Sequence, residues 1–240
     1  MVAKQMPFSY FIKWAHCGIS LCQDSPSIAT SYLQTSPATM ARLKSRHIET
    51  WANLGRGLYK GSWKSGTLTS KFFESGPTLL DTMTIPEVQE FAALLEVLSH
   101  RSYELAIDCL ALGQKIVGYL GDDKEAFIKL SMSLAETSWR QVKGMFEAAS
   151  RALPNINPEQ RLRFLKLVQG LSETGATNVP AAMLEVSEAL SSIDDQSHAR
   201  VLDLAETLME TFPASMPVFV RSSPTALGRV TLTQMEKWFE

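Results

Sequence analysis

Apolar positions recur along this chain at the spacing of an α-helix: Trp51, Leu54, Gly55 and Leu58 fall at i, i+3, i+4 and i+7 and so share one face. Gly61 predicts the end of that helix. Ser62 predicts the start of a second, because a serine hydroxyl can accept from a backbone N–H that the first turn leaves unpaired. The same pair of elements is written along the whole chain. With Trp14, Trp51, Phe91, Phe127, Phe164, Val201 and Trp238 aligned as anchors, the spacings are 37, 40, 36, 37, 37 and 37 residues. A leucine stands seven residues after each of the first six anchors, at Leu21, Leu58, Leu98, Leu134, Leu171 and Leu208. Three residues after them come Cys17, Leu54, Leu94, Leu130, Leu167 and Leu204. A lone helix cannot hide such a stripe from water, so each first helix is expected to pack on neighbours.

Second helices are expected over residues 26–35, 63–74, 102–118, 139–152, 178–192 and 213–221. Ser25, Ser62, Ser102 and Ser138, each eleven residues past an anchor, stand as caps for the first four. Thr174 with Gly175, and Phe212 before Pro213, replace that serine in the last two. Thr35-Ser36-Pro37, Ser75-Gly76-Pro77 and Ser222-Ser223-Pro224 predict a break and a brief third helix or 3-10 turn. Elsewhere the second helix is expected to run on, with Gly121-Asp122-Asp123, Asn155 to Pro158 and Asp194-Asp195 supplying turns and caps. No strand-like alternation competes with this pattern. The expected class is all-α: one domain over residues 1–240, a right-handed solenoid of six repeats near 14–50, 51–90, 91–126, 127–163, 164–200 and 201–237. Trp238 would open a seventh repeat or, with Met235 and Phe239, form a capping helix, and the truncated repeat is the expectation favoured here.

Composition adds an electrostatic asymmetry. Residues 1–80 hold nine Lys and Arg against three Asp and Glu, a net of +6, and the remainder is net −8. Three cysteines, Cys17, Cys22 and Cys109, form no disulfide framework, which points to a reducing, cytoplasmic setting. The apolar N-terminal stretch is interrupted by Lys13 and His16 and has no cleavage-site pattern, so it does not read as a signal peptide. No run approaches the ~18 apolar residues of a membrane span.

Little in the chain reads as catalytic chemistry. The loop from Gly61 to Thr67 lacks a lysine after its second glycine and a preceding strand, so it reads as a turn rather than a phosphate cradle. Cys17 and Cys22 stand about 140° apart on a helix, which points them away from shared metal ligation with His16. The chain is expected to be no enzyme and to need no cofactor. Two features carry expected recognition. Arg42, Lys44, Arg46, Arg56, Lys60 and Lys64 form a basic cluster that can meet an acidic protein partner or, as the alternative, nucleic-acid phosphates. Trp63, Tyr103 and Trp139 each follow a capping serine, and equivalent positions in stacked repeats would form an aromatic column for a peptide.

The run Trp51-x2-Leu54-Gly55-x2-Leu58 resembles the opening of the tetratricopeptide consensus, although the period near 37 and the residues Thr67 and Leu79 depart from that family's later positions. Residues 14–80 more closely resemble the helical region of bacterial NorD-type proteins, which precedes a von Willebrand factor A domain. The matching positions are Trp14, Gly18, Leu21, Ser25, Ser36 and Pro37, then Trp51, Gly55, Leu58, Ser62, Phe73, Gly76 and Pro77. That resemblance implies a scaffold that works beside a metal-binding adhesion domain and an ATPase of the MoxR type in activating a metalloenzyme. The adhesion domain's Asp-x-Ser-x-Ser motif is not in this chain. The expected function is therefore the scaffold's own: protein–protein interaction.

Overall fold

The structure, a computed structural model, describes residues 7–173, 178–191 and 195–227. Every regular element among the described residues is helical, so the chain is all-α. Its contacts group into two compact units, Met1–Gly118 and Tyr119–Glu240.

The N-terminal unit holds α1 (Phe8–Asp24), α2 (Pro26–Met40), α3 (Ile48–Leu58), α4 (Trp63–Glu74), α5 (Gly76–Thr82) and α6 (Ile85–Ser99). Helix α7 (Tyr103–Leu120) begins there and ends across the division. α1 packs on α2 and α3, α2 packs on α4, and α3 packs on α4 and α6. The C-terminal unit holds α8 (Lys124–Ser138), α9 (Val142–Ala152), α10 (Arg161–Glu173), α11 (Val179–Ser191), α12 (Asp195–Thr211) and α13 (Met216–Leu227). There α8 packs on α9 and α10, α9 on α11, α10 on α11 and α12, and α13 on both α11 and α12. Within each unit these contacts join helices adjacent in sequence and helices two or three elements apart.

The leucine seven residues after each of the first six anchors is buried every time. Leu21, Leu58, Leu98, Leu134, Leu171 and Leu208 are all 7 % exposed or less. Each contributes on the order of 1.5–3 kcal/mol of apolar burial. Trp51, Phe91, Phe127, Phe164 and Val201 are buried beside them, Trp14 is half-buried, and Trp238, Met235 and Phe239 lie outside the described residues. A missing side chain matters at Gly55: a Cβ there would overlap the Phe73 ring of α4, itself fully buried. Gly61 has φ 74°, a left-handed conformation that a side chain resists, and this turns the chain between α3 and α4.

Of the four expected serine caps, two act as caps. The Ser62 hydroxyl accepts from the Ser65 N–H at 3.2 Å, and Ser65 Oγ in turn accepts from the Ser62 N–H at 3.1 Å. Ser102 Oγ accepts from the Leu105 N–H at 3.2 Å. Ser25 makes no such bond, its hydroxyl lying 2.9 Å from that of Ser27. Ser138, with ψ 54°, leads into a 3-10 turn over Trp139–Gln141 before α9, so its hydroxyl caps nothing. Asn178 caps α11 by accepting from the Ala181 N–H at 3.0 Å, while Thr174, Gly175 and Asp194 lie outside the described residues.

The expected break at Pro37 is corrected. α2 runs through it to Met40, and a short 3-10 turn over Ser45–His47 then leads into α3. Thr39 and Met40 are buried at 0 % and 2 %, and that burial holds the last turn although the proline forfeits a backbone bond. At Ser75-Gly76-Pro77 the third helix does form, as α5. Gly76 is needed for it, since a Cβ there would stand 2.7 Å from the Trp51 ring and 2.5 Å from the Thr39 hydroxyl. Nor does the last second helix stop at 221: after a 3-10 turn over Pro213–Ser215, α13 continues through Pro224 to Leu227.

Candidate partner-binding surface

The six cations of the basic cluster lie in the N-terminal unit, on or beside α2, α3 and α4. Their surroundings differ from what a linear reading expects. The Arg42 guanidinium donates to both oxygens of Asp81, from Nε at 2.5 Å and from Nη2 at 2.9 Å. Arg56 Nε donates to Asp24 at 2.8 Å, and Nη2 donates to the Ser20 hydroxyl at 2.6 Å. Lys60 donates to Glu96 at 2.7 Å, and Lys64 to Glu104 at 2.8 Å. The partners are 39, 32, 36 and 40 residues apart in sequence.

These carboxylates are the residues that sequence reading missed. The signal was present as an acid about one period from each base, and it becomes visible only once corresponding positions are known to lie side by side. The C-terminal unit repeats the arrangement: Arg163 donates to Glu206 and Asp203, 43 and 40 residues on, and Arg221 donates to Glu185, 36 residues back. The pairs are solvent-exposed or nearly so, and such pairs add little to stability. They do set the charge on the surface. The Lys64 ammonium, with Glu104's own backbone N–H and the Ser102 hydroxyl after it, holds the Glu104 carboxyl down to about 2. Arg42 does the same to Asp81, lowering it from the ordinary range.

Two cations of the cluster keep an open charge. Lys44 and Arg46 have no carboxylate partner among the described residues, and Arg46 Nε bonds only the His47 ring, at 3.0 Å. Arg46 also lines a recess of about 350 Å³ between α1 and α3, together with Lys13, His16, Ser45, Glu49 and Asn53. Cys17 reaches the same recess, and burial raises its thiol above the usual range, which keeps it protonated and a poor nucleophile. Among the described residues no three His, Cys, Asp or Glu side chains gather as a metal-binding group.

The three aromatic residues share a helix-start position but not an environment. Trp63 is 77 % exposed, while Tyr103 and Trp139 are half-buried. Lys64 Nζ sits 5.7 Å from the Trp63 ring centre, and the Arg140 guanidinium lies 4.8 Å from that of Trp139. Trp63 stands on a groove of about 420 Å³ between α2 and α4, lined also by Ser27, Tyr59, Gly66, Ser70 and Glu74. The groove thus offers the exposed Trp63 ring and the Tyr59 ring among hydroxyls, with Lys71 and Glu74 also lining it. Trp139 belongs to the C-terminal unit. Among the described residues no helix is long and apolar enough to cross a membrane. Comparisons with protein-family models, with curated proteins and with solved structures found no match to this chain.

Proposed function

We propose that the chain is a non-catalytic helical-repeat scaffold that binds another protein, its helix pairs stacked as six repeats of a right-handed solenoid. The observation that carries this reading is the shared fate of one register position, a leucine buried at every one of six occurrences. Stacked repeats present equivalent positions along a line, which suits an extended protein segment better than a small substrate. In the N-terminal unit the α2–α4 groove offers the anchor for such a segment. A tryptophan that stays open to solvent brings a large apolar face and an N–H donor, the combination that dominates many protein interfaces.

Lys44 and Arg46 favour an acidic segment, because the other four cations of the cluster already face carboxylates. The same pairing counts against nucleic acid, whose binding would need those cations for phosphates. The resemblance to NorD-type helical regions is consistent with a protein partner, an ATPase or a metalloenzyme.

Peptides selected on the protein from a random display library test the reading. Trp63→Ala should weaken them by about tenfold or more and leave the helical circular dichroism unchanged. Full affinity of every selected peptide for Trp63→Ala would place binding elsewhere. Salt-sensitive retention of duplex DNA, with no peptide selected, would favour the nucleic-acid alternative.

A further inference from the structure

Helix α1 carries an apolar face that the described residues leave largely open, although the Phe11 ring packs on Trp14 with ring centres 5.6 Å apart. Phe8, Phe11, Ile12, Ala15 and Ile19 fall within roughly 100° of one another around the helix, and the four large ones are 76 %, 42 %, 41 % and 64 % exposed. The exposed Cys22 extends the same stripe. Leu33 of α2 borders it: it is 36 % exposed and would stand 2.6 Å from a Cβ placed on Gly18.

Register shows that this face is not ordinary for a first helix. Ile12 and Ile19 stand two residues before and five residues after the anchor Trp14. The corresponding residues are Glu49 and Arg56 in α3, and Gln89 and Glu96 in α6. Phe11 and Ala15 correspond in α3 to Ile48 and Ala52, which are buried at 0 % and 4 %. α1 therefore keeps apolar residues where later helices are covered, and adds isoleucines where later helices meet water.

We propose that α1 pairs antiparallel with α1 of a second copy of the chain, about a two-fold axis at Ala15. Three features select this occupant. The stripe bears no charge, so two copies meet without like-charge repulsion, and Lys13 lies about 140° from Phe8, outside the seam. The small residue is central: Phe11 and Ile19 lie four residues to either side of Ala15, and Phe8 and Cys22 lie seven. An antiparallel pair thus sets Phe8 against Cys22 and Phe11 against Ile19 of the other copy, with close approach at the alanines, the self-complementary pattern of a two-fold interface. The apolar surface on offer, counted over both copies, is on the order of 1,000 Å², about the least that a specific interface buries. The pairing does not depend on what the rest of the chain binds.

Analytical ultracentrifugation and cysteine cross-linking of the full chain test it together. The chain should sediment with a mass near twice 26.6 kDa. Ile19→Asp, at an exposed position that should not affect folding, should shift it to monomer with a dissociation constant raised at least about thirtyfold. Ala15→Cys should form an intermolecular disulfide under mild oxidation, while the unmodified chain, whose Cys22 residues would sit a full seam apart, should not. A monomer at concentrations of hundreds of micromolar overturns the proposal, as does a dimer that survives Ile19→Asp. So does a dimer in which Ala15→Cys fails to cross-link.

Discussion

The two compact units fill the same register of apolar positions in different ways. In Met1–Gly118 the centre is aromatic: Trp51 stacks on Phe72 with ring centres 4.7 Å apart, and Tyr32 meets Phe73 edge-on at 5.2 Å. Glycines make room for these rings, Gly55 under Phe73 and Gly76 beside Trp51. In Tyr119–Glu240 the buried rings among the described residues are phenylalanines alone, the edge-on pair Phe127 and Phe146 with ring centres 5.1 Å apart, Phe164 and Phe219, set among alanine, leucine, isoleucine, valine and methionine. Close approach there meets a flexible group, the thioether of Met209 over Gly170. One pattern along the chain thus admits a rigid solution and a compliant one, because interior packing asks for filled volume before it asks for a particular shape.

Substituting the shared leucine should erase that difference. Leu58→Asp in the N-terminal unit and Leu134→Asp in the C-terminal one each place a carboxylate where exposure is 1 % or 7 %. Each should cost about 3 kcal/mol or more, read as a lower midpoint in urea unfolding. Near-native stability of both variants would remove the common register.

The glycines should sharpen the contrast. Gly55→Ala forces a methyl into the fully buried Phe73 ring and should lose about 1–3 kcal/mol. Gly170→Ala meets only the end of a half-buried methionine, which can swing aside, and the gain in helix propensity should leave stability unchanged or raised by up to about 1 kcal/mol. Equal losses at the two sites would mean that the units are equally rigid.

The smallest effect is electrostatic. Glu104 should titrate near 2 by carboxyl NMR, and Lys64→Met should return it toward the ordinary glutamate range. Because the folded value is depressed, the Lys64–Glu104 pair supports folding at pH values above the ordinary glutamate range. That support fades as pH falls from there toward 2. An unmoved titration in Lys64→Met would mean that the backbone N–H and Ser102 hold the charge without the lysine.

How much of this was legible in advance varies with the range of the interaction. The helix starts at Ser62 and Ser102 were readable because capping is decided within four residues. Ser138 carries the same residue in the same register, yet a ψ of 54° turns it into a 3-10 turn, and no neighbour in sequence announces that angle. Pro37 reads locally as a stop, but the burial of Thr39 and Met40 carries the helix past it. Among the candidate site residues, Trp63 and Tyr103 stand at one register position, and only the fold left the first in water and covered half of the second.

By itself the sequence determined the helical class, the interval near 37 residues and the leucine that each first helix turns inward. Those follow from periodicity, and periodicity is a property of a chain that water sorts into inside and outside faces. The tertiary structure alone decided which charges meet. Arg42 and Asp81 are strangers at a distance of 39 residues until helices one period apart lie side by side, and Coulomb attraction acts across space rather than along the chain.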